Sequence, residues 1–300
     1  MVFSLHEMDY YVREIDLTQH DYMLYNPNNY MGGYGPIDII YDYVNHEIES
    51  FNPDMIILAA GGLTFSEEVS LELKRKGIIL LGITLSDPDV FISTKNYADR
   101  FTYHTTNSLK ALDMYKKSNI NNTIYMPFGV DSRFFLPLEK KDEYKSDIKI
   151  ISHFRPERLE IVNELRSRFN TKVFGSNWPI EGTYPISYPE WISVARSSKL
   201  IFDFTITGAG YFNVKVRLFE VAATGTPLIT QRLPEIEQFF EFEKEIIGYD
   251  TLDEAYEKIN YYLKHEDELT RIGINAQNRC IREHTWKERF KKLFEQLNFK

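Results

Sequence analysis

The chain has one cysteine, Cys280, and no apolar run that approaches the length of a membrane-spanning helix. A single cysteine forms no internal disulfide and no cysteine metal cage, so a disulfide-stapled scaffold is excluded and a reducing compartment fits. Crossing a bilayer takes about 20 apolar residues, and the first residues lack a basic stretch followed by an apolar one. These absences predict a cytoplasmic protein without an integral membrane segment.

The chain also lacks an excess of basic residues. Lys and Arg total 35 against 44 Asp and Glu, for a formal charge of −9, so we expect no nucleic acid partner. The 43% hydrophobic and 26% charged content is that of an ordinary soluble globular protein. Because 300 residues exceed what one hydrophobic core usually organises, the length predicts two domains.

In both halves of the chain, apolar runs alternate with stretches of helical period, which predicts two α/β domains with parallel sheets. In the first half the predicted strands are 22–25, 55–60, 78–84, 100–104 and 123–126, the predicted helices are 37–51, 66–76 and 107–118, and 26–36 is a loop rich in Asn and Gly. In the second half the predicted strands are 148–152, 172–174, 200–205 and 227–230, and the predicted helices are 157–169, 189–197 and 213–223.

A charged stretch at 139–147 has no apolar period and reads as a linker. The predicted domains are therefore 1–138 and 139–284, with a last helix at 285–300 that carries an apolar stripe.

The stretch from residue 200 to residue 230 carries the strongest indication of chemistry. A buried strand meets the turn Gly208-Ala-Gly210 and then a predicted helix that begins near Asn213. Backbone N–H groups of such a turn and the positive end of a helix favour a phosphate. On that helix Asn213, Arg217 and Glu220 share one face, so Arg217 could fork onto a diphosphate and Glu220 could accept hydrogen bonds from vicinal sugar hydroxyls. The alternative is a surface ion pair between Arg217 and Glu220 on an ordinary amphipathic helix.

Two other patterns imitate cofactor sites. The sequence Asp87-Pro-Asp89 after an apolar run resembles an Asp-x-Asp metal site, but that site belongs to a different fold from two α/β domains, so we expect no metal. The turn Gly208-Ala-Gly210 could be half of a dinucleotide fingerprint. Its third position is Asn213 rather than Gly or Ala, so we expect no nicotinamide cofactor.

Residues 213–230 resemble the donor-site helix and following turn of glycosyltransferases with two Rossmann-like domains, the GT-B fold, and in particular the spore maturation protein CgeB-like glycosyltransferases. Three further segments resemble family motifs in the same order. They are Met-Pro-Phe-Gly-Val-Asp from 126, Val-Phe-Gly-Ser-Asn-Trp from 173 and His-Thr-Trp-Lys-Glu-Arg-Phe from 284. The resemblance implies two Rossmann-like domains that face a cleft, with the last helix crossing back to the first domain.

The same resemblance implies site residues. It assigns Glu220 to the donor ribose and Arg217 to the diphosphate, with Lys215 as a further donor-side candidate on the packing side of the predicted helix. Gly175 and Trp178, at a strand end similar to the family's, are donor-side candidates as well.

The chain also departs from the family pattern at two places. His153 and Arg155 stand where the first strand of the donor domain usually ends in glycine, and they could either reach the diphosphate or fill the space. Phe212 stands where retaining relatives often have a second Glu, which leaves the stereochemical outcome open.

Transfer to an acceptor hydroxyl needs a general base, for which Asp87 and His104 are candidates because each follows or ends a predicted strand of the first domain. Gly32 and Gly33 lie in a loop that could admit the acceptor, although a plain flexible turn explains them equally well.

The sequence therefore predicts a metal-independent glycosyltransferase without a cofactor, which uses a UDP- or dTDP-linked sugar and an unidentified glycan, protein or small-molecule acceptor. The alternatives are a nucleotide-sugar epimerase or hydrolase of the same fold and a non-catalytic subunit that binds nucleotide sugars. A nicotinamide oxidoreductase is a further alternative.

Overall fold

A computed structural model describes residues 1–15, 41–58, 64–135 and 139–299. The chain forms two compact units, the first comprising Met1–Phe128, Thr207–Asn213 and Phe290–Lys300 and the second Gly129–Ile206 and Val214–Arg289. The domain limits given above stay predictions. The predicted strand at 22–25, the loop at 26–36 and the candidate residues Gly32 and Gly33 lie outside the described residues.

The first unit contains a parallel sheet in the order β1-β2-β3-β4. Its strands are β1 (Met55–Leu58), β2 (Ile79–Thr84), β3 (Tyr103–Thr106) and β4 (Thr123–Tyr125), and its helices are α1 (Val2–His6), α2 (Tyr41–Phe51), α3 (Glu67–Arg75), α4 (Phe91–Thr94) and α5 (Leu109–Lys117). Two serines start helices as N-caps, since Ser66 Oγ accepts from the N–H of Val69 and Ser108 Oγ from that of Ala111, both at 3.3 Å.

The second unit contains a five-stranded parallel sheet in the order β6-β5-β7-β8-β9. Its strands are β5 (Ser146–Ile151), β6 (Thr171–Phe174), β7 (Ser198–Phe202), β8 (Leu228–Gln231) and β9 (Ile247–Tyr249), and its helices are α6 (Pro156–Arg168), α7 (Tyr188–Arg196), α8 (Val216–Thr224), α9 (Leu252–Lys264) and α10 (Glu266–Glu283). One face of this sheet packs with α6, α9 and α10 in a single apolar core. The prediction of two α/β domains with parallel sheets is confirmed.

The last helix, α11 (Trp286–Leu297), begins in the second unit and belongs to the first from Phe290 onward. Its apolar stripe is buried, with Phe290 at 0% exposure. Within the first unit, the rings of Phe294 and Tyr10 make a T-shaped contact with centroids 5.3 Å apart. No helix in the described part of the chain is both long and apolar enough to cross a membrane.

Strand β5 carries an unusual buried charge-bearing residue. Ile148 and Ile150 face the apolar core, whereas Lys149 between them is 0% exposed on the opposite face of the strand. Its amine has no hydrogen-bond partner among the described residues. Burial, with the nearby charges of Lys172 and Lys140, lowers the pKa of Lys149 to about 7. The sheet therefore holds a lysine that is largely unpaired.

Candidate functional site

Three polar loops follow neighbouring strands of the second unit at the same edge of the sheet. His153 and Arg155 lie between β5 and α6, Gly175 follows β6 directly, and Asp203 follows β7 directly. In parallel α/β sheets this carboxyl edge is where ligands bind. The sequence order of strands and helices thus brings the predicted donor-side residues of these loops to one edge.

Helix α8 starts later than the sequence predicts, at Val216 rather than near Asn213. Lys215 is the N-cap with an extended backbone and caps the helix with no side-chain hydrogen bond. The prediction that Asn213 belongs to the helix was wrong, since Asn213 precedes the N-cap; its side-chain amide donates to the backbone oxygen of Asp87 at 2.8 Å in the first unit. The N–H groups at the start of α8 remain without a capping side chain, which favours an anion there.

Arg217, in the first turn of α8, forms an ion pair with Asp203 through a short hydrogen bond. The Asp203 side chain is 3% exposed, and that of Arg217 is 22% exposed. The alternative interpretation, a surface ion pair between Arg217 and Glu220, does not describe the structure. The ion-pair partner of Arg217 is the buried carboxylate of Asp203, at the end of strand β7. This buried partner fixes the guanidinium near the start of the helix.

Four cations lie close enough to influence one another's charge, and we call Arg155, Arg158, Lys215 and Arg217 the cation cluster. Burial lowers the pKa of Lys215 to about 8; the charge of Asp203 opposes this fall, and those of the three arginines add to it. Burial likewise lowers the pKa of Arg158 to about 10, and the charges of Arg217 and Arg155 add to that effect. This mutual repulsion shows that Asp203 does not by itself offset the positive charge of the cluster; Glu157 beside Arg158 and Glu220 beside Arg217 offset part of the rest.

Arg158, a member of the cluster that the sequence analysis did not select, is 4% exposed. Its guanidinium donates to the backbone oxygens of His153 at 3.0 Å and Ile206 at 3.4 Å and lies 4.9 Å from the ring centre of Phe204. Lys215 donates to the same Ile206 oxygen. Arg158 therefore ties the loop after β5 to the segment after β7.

Glu220 lies one turn beyond Arg217 on α8 and is partly buried. Burial raises the pKa of Glu220 to about 7, with Arg217 lowering it and Asp203 raising it. A carboxyl group with this pKa changes charge near neutral pH, so a ligand that donates hydroxyl hydrogens to it favours the ionised form.

Gly175 and Trp178 both lie against the backbone at the end of strand β5. A Cβ at Gly175, whose φ is +137°, would lie 1.9 Å from the backbone oxygen of Ser152, so only glycine fits there. The indole N–H of Trp178 donates to the same oxygen at 2.6 Å. His153 is exposed, and its imidazole belongs to the loop that Arg158 holds. Both Gly175 and Trp178 thus fix the backbone between β5 and His153.

The turn Gly208-Ala-Gly210, predicted to receive a phosphate, belongs to the first unit and already holds a carboxylate. Asp89 accepts hydrogen bonds from Thr207 Oγ1 at 2.5 Å, from the N–H of Gly208 at 3.0 Å and from the N–H of Ala209 at 3.4 Å. The structure therefore places Gly208 and Gly210 with Asp89, and not in the unit that holds Arg217 and Glu220.

Asp87, the first candidate for the catalytic base, is 2% exposed. Its carboxylate accepts from Thr106 Oγ1 at 2.6 Å and from the Tyr115 hydroxyl at 3.5 Å. Burial raises the pKa of Asp87 to about 6, although the hydrogen bonds from Thr106 and Tyr115 lower it and the charge of Asp89 raises it. This value suits a general base at neutral pH, and the role stays a prediction.

His104, the second candidate, lies inside strand β3 and is 1% exposed. Its Nε2 lies 2.9 Å from Thr84 Oγ1 and its Nδ1 lies 3.4 Å from Thr123 Oγ1, so neighbouring strands enclose both nitrogens. Burial lowers the pKa of His104 to about 4. A neutral, enclosed imidazole of this kind fits a core position, and we leave His104 out of the proposed site.

The residues that the sequence analysis missed are Arg158 and Asp203, together with Asp89 as the partner of the glycine turn. Asp203 follows a buried strand, which is the same signal that selected Asp87. Arg158 lies in the first turn of α6, three residues after the N-cap Arg155, whose backbone is extended. Among the described residues, no group of three His, Cys, Asp or Glu side chains could hold a metal ion.

Comparison with known proteins bears on the part of the chain that contains the cation cluster. Residues 155–295 match the family model described as "Glycosyl transferase-like". The chain is 22% identical to the spore protein CgeB of Bacillus subtilis (strain 168) over 272 residues, which cover 81% of this chain and 82% of that protein. The predicted resemblance to CgeB-like glycosyltransferases is confirmed, and residues 155–295 are similar to glycosyl transferase-like domains.

Solved structures confirm the predicted fold. Sucrose-phosphate synthase from Thermosynechococcus elongatus superposes with a TM-score of 0.61 at 14% identity, covering 86% of this chain and 77% of that one. Anabaena Alr3699/HepE, solved in complex with UDP-glucose, superposes with a TM-score of 0.61 at 11% identity, covering 88% of this chain and 84% of that one. The chain has the fold of GT-B glycosyltransferases.

Proposed function

We propose that the chain transfers a sugar from a nucleoside diphosphate sugar to an acceptor hydroxyl and that the second unit binds the donor. The observation that carries this proposal is the cation cluster: four cations lie at the carboxyl edge of the sheet, where Asp203 is the buried carboxylate and Glu220 is the partly buried acid beside Arg217. Buried positive charge in excess of its partners is costly unless an anion binds. A diphosphate supplies the missing negative charge.

The chemistry of sugar transfer fits this arrangement. Negative charge grows on the diphosphate as the bond to the sugar breaks, and fixed cations with the start of α8 stabilise it without a metal. Arg217 offers a planar pair of donors to the phosphates, and Lys215 adds a point charge at the helix N-cap. Glu220, one turn further on, accepts hydrogen bonds from the ribose hydroxyls.

The donor base in this proposal is uracil or thymine. The solved neighbour from Anabaena holds UDP-glucose, and this supports a uridine nucleotide as the first to test. The acceptor is an unidentified glycan, protein or small molecule, and a cytoplasmic location stays a prediction.

A thermal-shift panel with UDP, dTDP, GDP and NAD in metal-free buffer tests the donor site, because a ligand that binds only the folded chain raises its melting temperature. We expect one nucleoside diphosphate to stabilise the wild type and to lose this effect in Arg217→Ala and Glu220→Ala. Arg168→Ala is the control, since Arg168 pairs with Glu164 on the exposed part of α6. No nucleotide shift, or the same shift in all four proteins, would contradict the proposal.

Product analysis distinguishes transfer from the related activities. With UDP-glucose alone, an epimerase would form a new nucleotide sugar and a hydrolase would release free glucose at full rate. A transferase is expected to release UDP rapidly only when a suitable acceptor is added. Rapid turnover of the donor without acceptor would overturn the assignment as a transferase. It would leave intact the proposal that the second unit binds the donor.

A further inference from the structure

The carboxylate of Asp87 is held by hydroxyl groups from two other elements of the first unit. Thr106, the last residue of β3, donates from Oγ1 to Oδ2 of Asp87 at 2.6 Å. Tyr115 on α5 donates from its hydroxyl to Oδ1 at 3.5 Å. Both donors are fully buried, so each oxygen of the carboxylate has a hydroxyl partner inside the fold.

The backbone fixes the direction of the hydrogen bond from Thr106. The Thr106 hydroxyl oxygen accepts from the N–H of Ser108 at 3.3 Å. A hydroxyl has one hydrogen, and this contact leaves that hydrogen to point at Asp87. A donor aimed at a carboxylate stabilises the ionised form, and the distance of 2.6 Å is that of a strong, charge-assisted hydrogen bond.

The main chain of Asp87 is fixed as well. The amide of Asn107, which is 2% exposed, accepts from the N–H of Asp87 at 3.1 Å and donates to its backbone oxygen at 3.3 Å. Asn107 directly follows Thr106. The end of β3 therefore holds both the backbone and the carboxylate of Asp87.

The charges around Asp87 show what the hydroxyls do. Burial raises its pKa, the hydrogen bonds from Thr106 and Tyr115 lower it, and the charge of Asp89 on the same loop raises it, with a balance at about 6. His104 on β3, whose ring centroid lies 5.0 Å from that of Tyr115, is neutral near pH 7 because burial lowers its pKa to about 4. Without the two hydroxyls, burial would favour a protonated carboxyl at neutral pH.

We propose that Thr106 and Tyr115 are positioning residues that keep Asp87 ionised and oriented to take the proton of the acceptor hydroxyl. The inference rests on the proposed function, which needs a base for that hydroxyl, and takes Asp87 as the base. A carboxylate has about four acceptor positions, so one position on each oxygen is left for the incoming proton.

The transfer step then balances. The acceptor oxygen forms its bond to the sugar carbon, and its proton passes to Asp87. The bond from that carbon to the diphosphate oxygen breaks, and its electron pair leaves with the diphosphate.

An NMR titration of the Asp87 carboxyl carbon tests the inference without an acceptor, in protein with isotope-labelled aspartate and with Asp87→Asn to assign the signal. Thr106→Val removes the hydroxyl and keeps the shape of the side chain. It should raise the titration midpoint by about 1–2 pH units, the effect of one hydrogen bond to a charged group. Thr106→Ser restores the hydroxyl and should titrate as the wild type does.

Two other variants complete the series. Tyr115→Phe should raise the midpoint by less than Thr106→Val, because its hydrogen bond is longer. Thr84→Val is the matched control, since this buried threonine bonds to His104 and should leave the midpoint of Asp87 in place.

The slow release of UDP from UDP-glucose, with water as the acceptor, gives a second readout. In Thr106→Val the acid limb of the pH–rate profile should move to higher pH by the same amount as the midpoint, with the rate at high pH retained. A purely structural role would lower the whole profile without moving the limb.

An unmoved midpoint in Thr106→Val would overturn the inference, and so would a midpoint that moves while the acid limb does not. Both results would leave the donor site in place. A wild type that binds no UDP would overturn the proposed function itself, and the inference with it.

Discussion

Replacing the buried Lys149 by methionine should make the second unit more stable. The amine is 0% exposed and has no hydrogen-bond partner among the described residues, and the pKa of Lys149 falls from its usual 10.5 to about 7. At about 1.4 kcal/mol for each step of one in pKa, this fall corresponds to a penalty of about 5 kcal/mol. Methionine has a similar length and carries no charge, so we expect the free energy of unfolding at pH 7 to rise by about 2–5 kcal/mol.

The pH dependence of this gain identifies its cause. Between pH 7 and pH 10.5 the amine is neutral in the folded chain and protonated in the unfolded chain. The unfolded chain then binds one more proton, so the wild type loses stability as the pH falls through this window, and the penalty is constant below about pH 7. The gain from Lys149→Met should therefore be largest at pH 7 and shrink to about 1 kcal/mol at pH 9.5.

Urea unfolding of both proteins at pH 7 and pH 9.5 measures the difference. Lys199→Met is the control: this lysine is 43% exposed and pairs with Asp147 at 2.9 Å and Glu266 at 2.8 Å. An exposed pair of this kind contributes at most about 1 kcal/mol, so the control should be unchanged or slightly less stable. A loss of stability in Lys149→Met, or a gain of the same size at both pH values, would refute the reasoning.

Three further experiments test the site. UDP affinity should rise as the pH increases through about 7, where Glu220 ionises. Asp203→Asn should move this rise to lower pH, because Asp203 raises the pKa of Glu220. Calorimetry at several pH values measures both effects, and an unchanged pH profile in Asp203→Asn would contradict the role of Glu220. Gly175→Ala should lower the free energy of unfolding by on the order of 3 kcal/mol through its clash with a backbone oxygen. The control Gly182→Ala, at φ +79° with open space around it, should lower it by about 1 kcal/mol. Equal melting temperatures of the two variants would contradict this. Asp87→Asn should lower turnover of a UDP-sugar by about 100-fold or more with UDP affinity unchanged, and full turnover would remove Asp87 as the base.

Much of the fold could be predicted from the sequence because parallel strands leave a plain signal. Uninterrupted apolar runs at 78–84 and 148–152 became β2 and β5 within two residues. Strand β9 (Ile247–Tyr249) has only three residues and was missed, since so short a run has no measurable period. Helix α8 was placed three residues too early because the helical period does not show that Asn213 bonds to Asp87.

In the candidate site, too, some residues could be predicted from the sequence and others could not. Arg217 and Glu220 could be selected because they share one face of a helix, and they do lie one turn apart on α8. The partner of Arg217 could not, since the pairing with Asp203 depends on which strand end lies beside the helix. The glycine turn was assigned to a phosphate because backbone N–H groups do not specify which anion they hold, and in the fold that anion is the carboxylate of Asp89.

The central claim is that the cation cluster lacks an anion that the donor diphosphate supplies. Calorimetric titration of UDP and of uridine into the wild type and Arg217→Ala, in metal-free buffer, tests it most directly. We expect UDP to bind the wild type roughly tenfold or more tightly than uridine and Arg217→Ala to remove most of this difference. Equal affinity for UDP and uridine in the wild type, or an undiminished preference for UDP in Arg217→Ala, would contradict it.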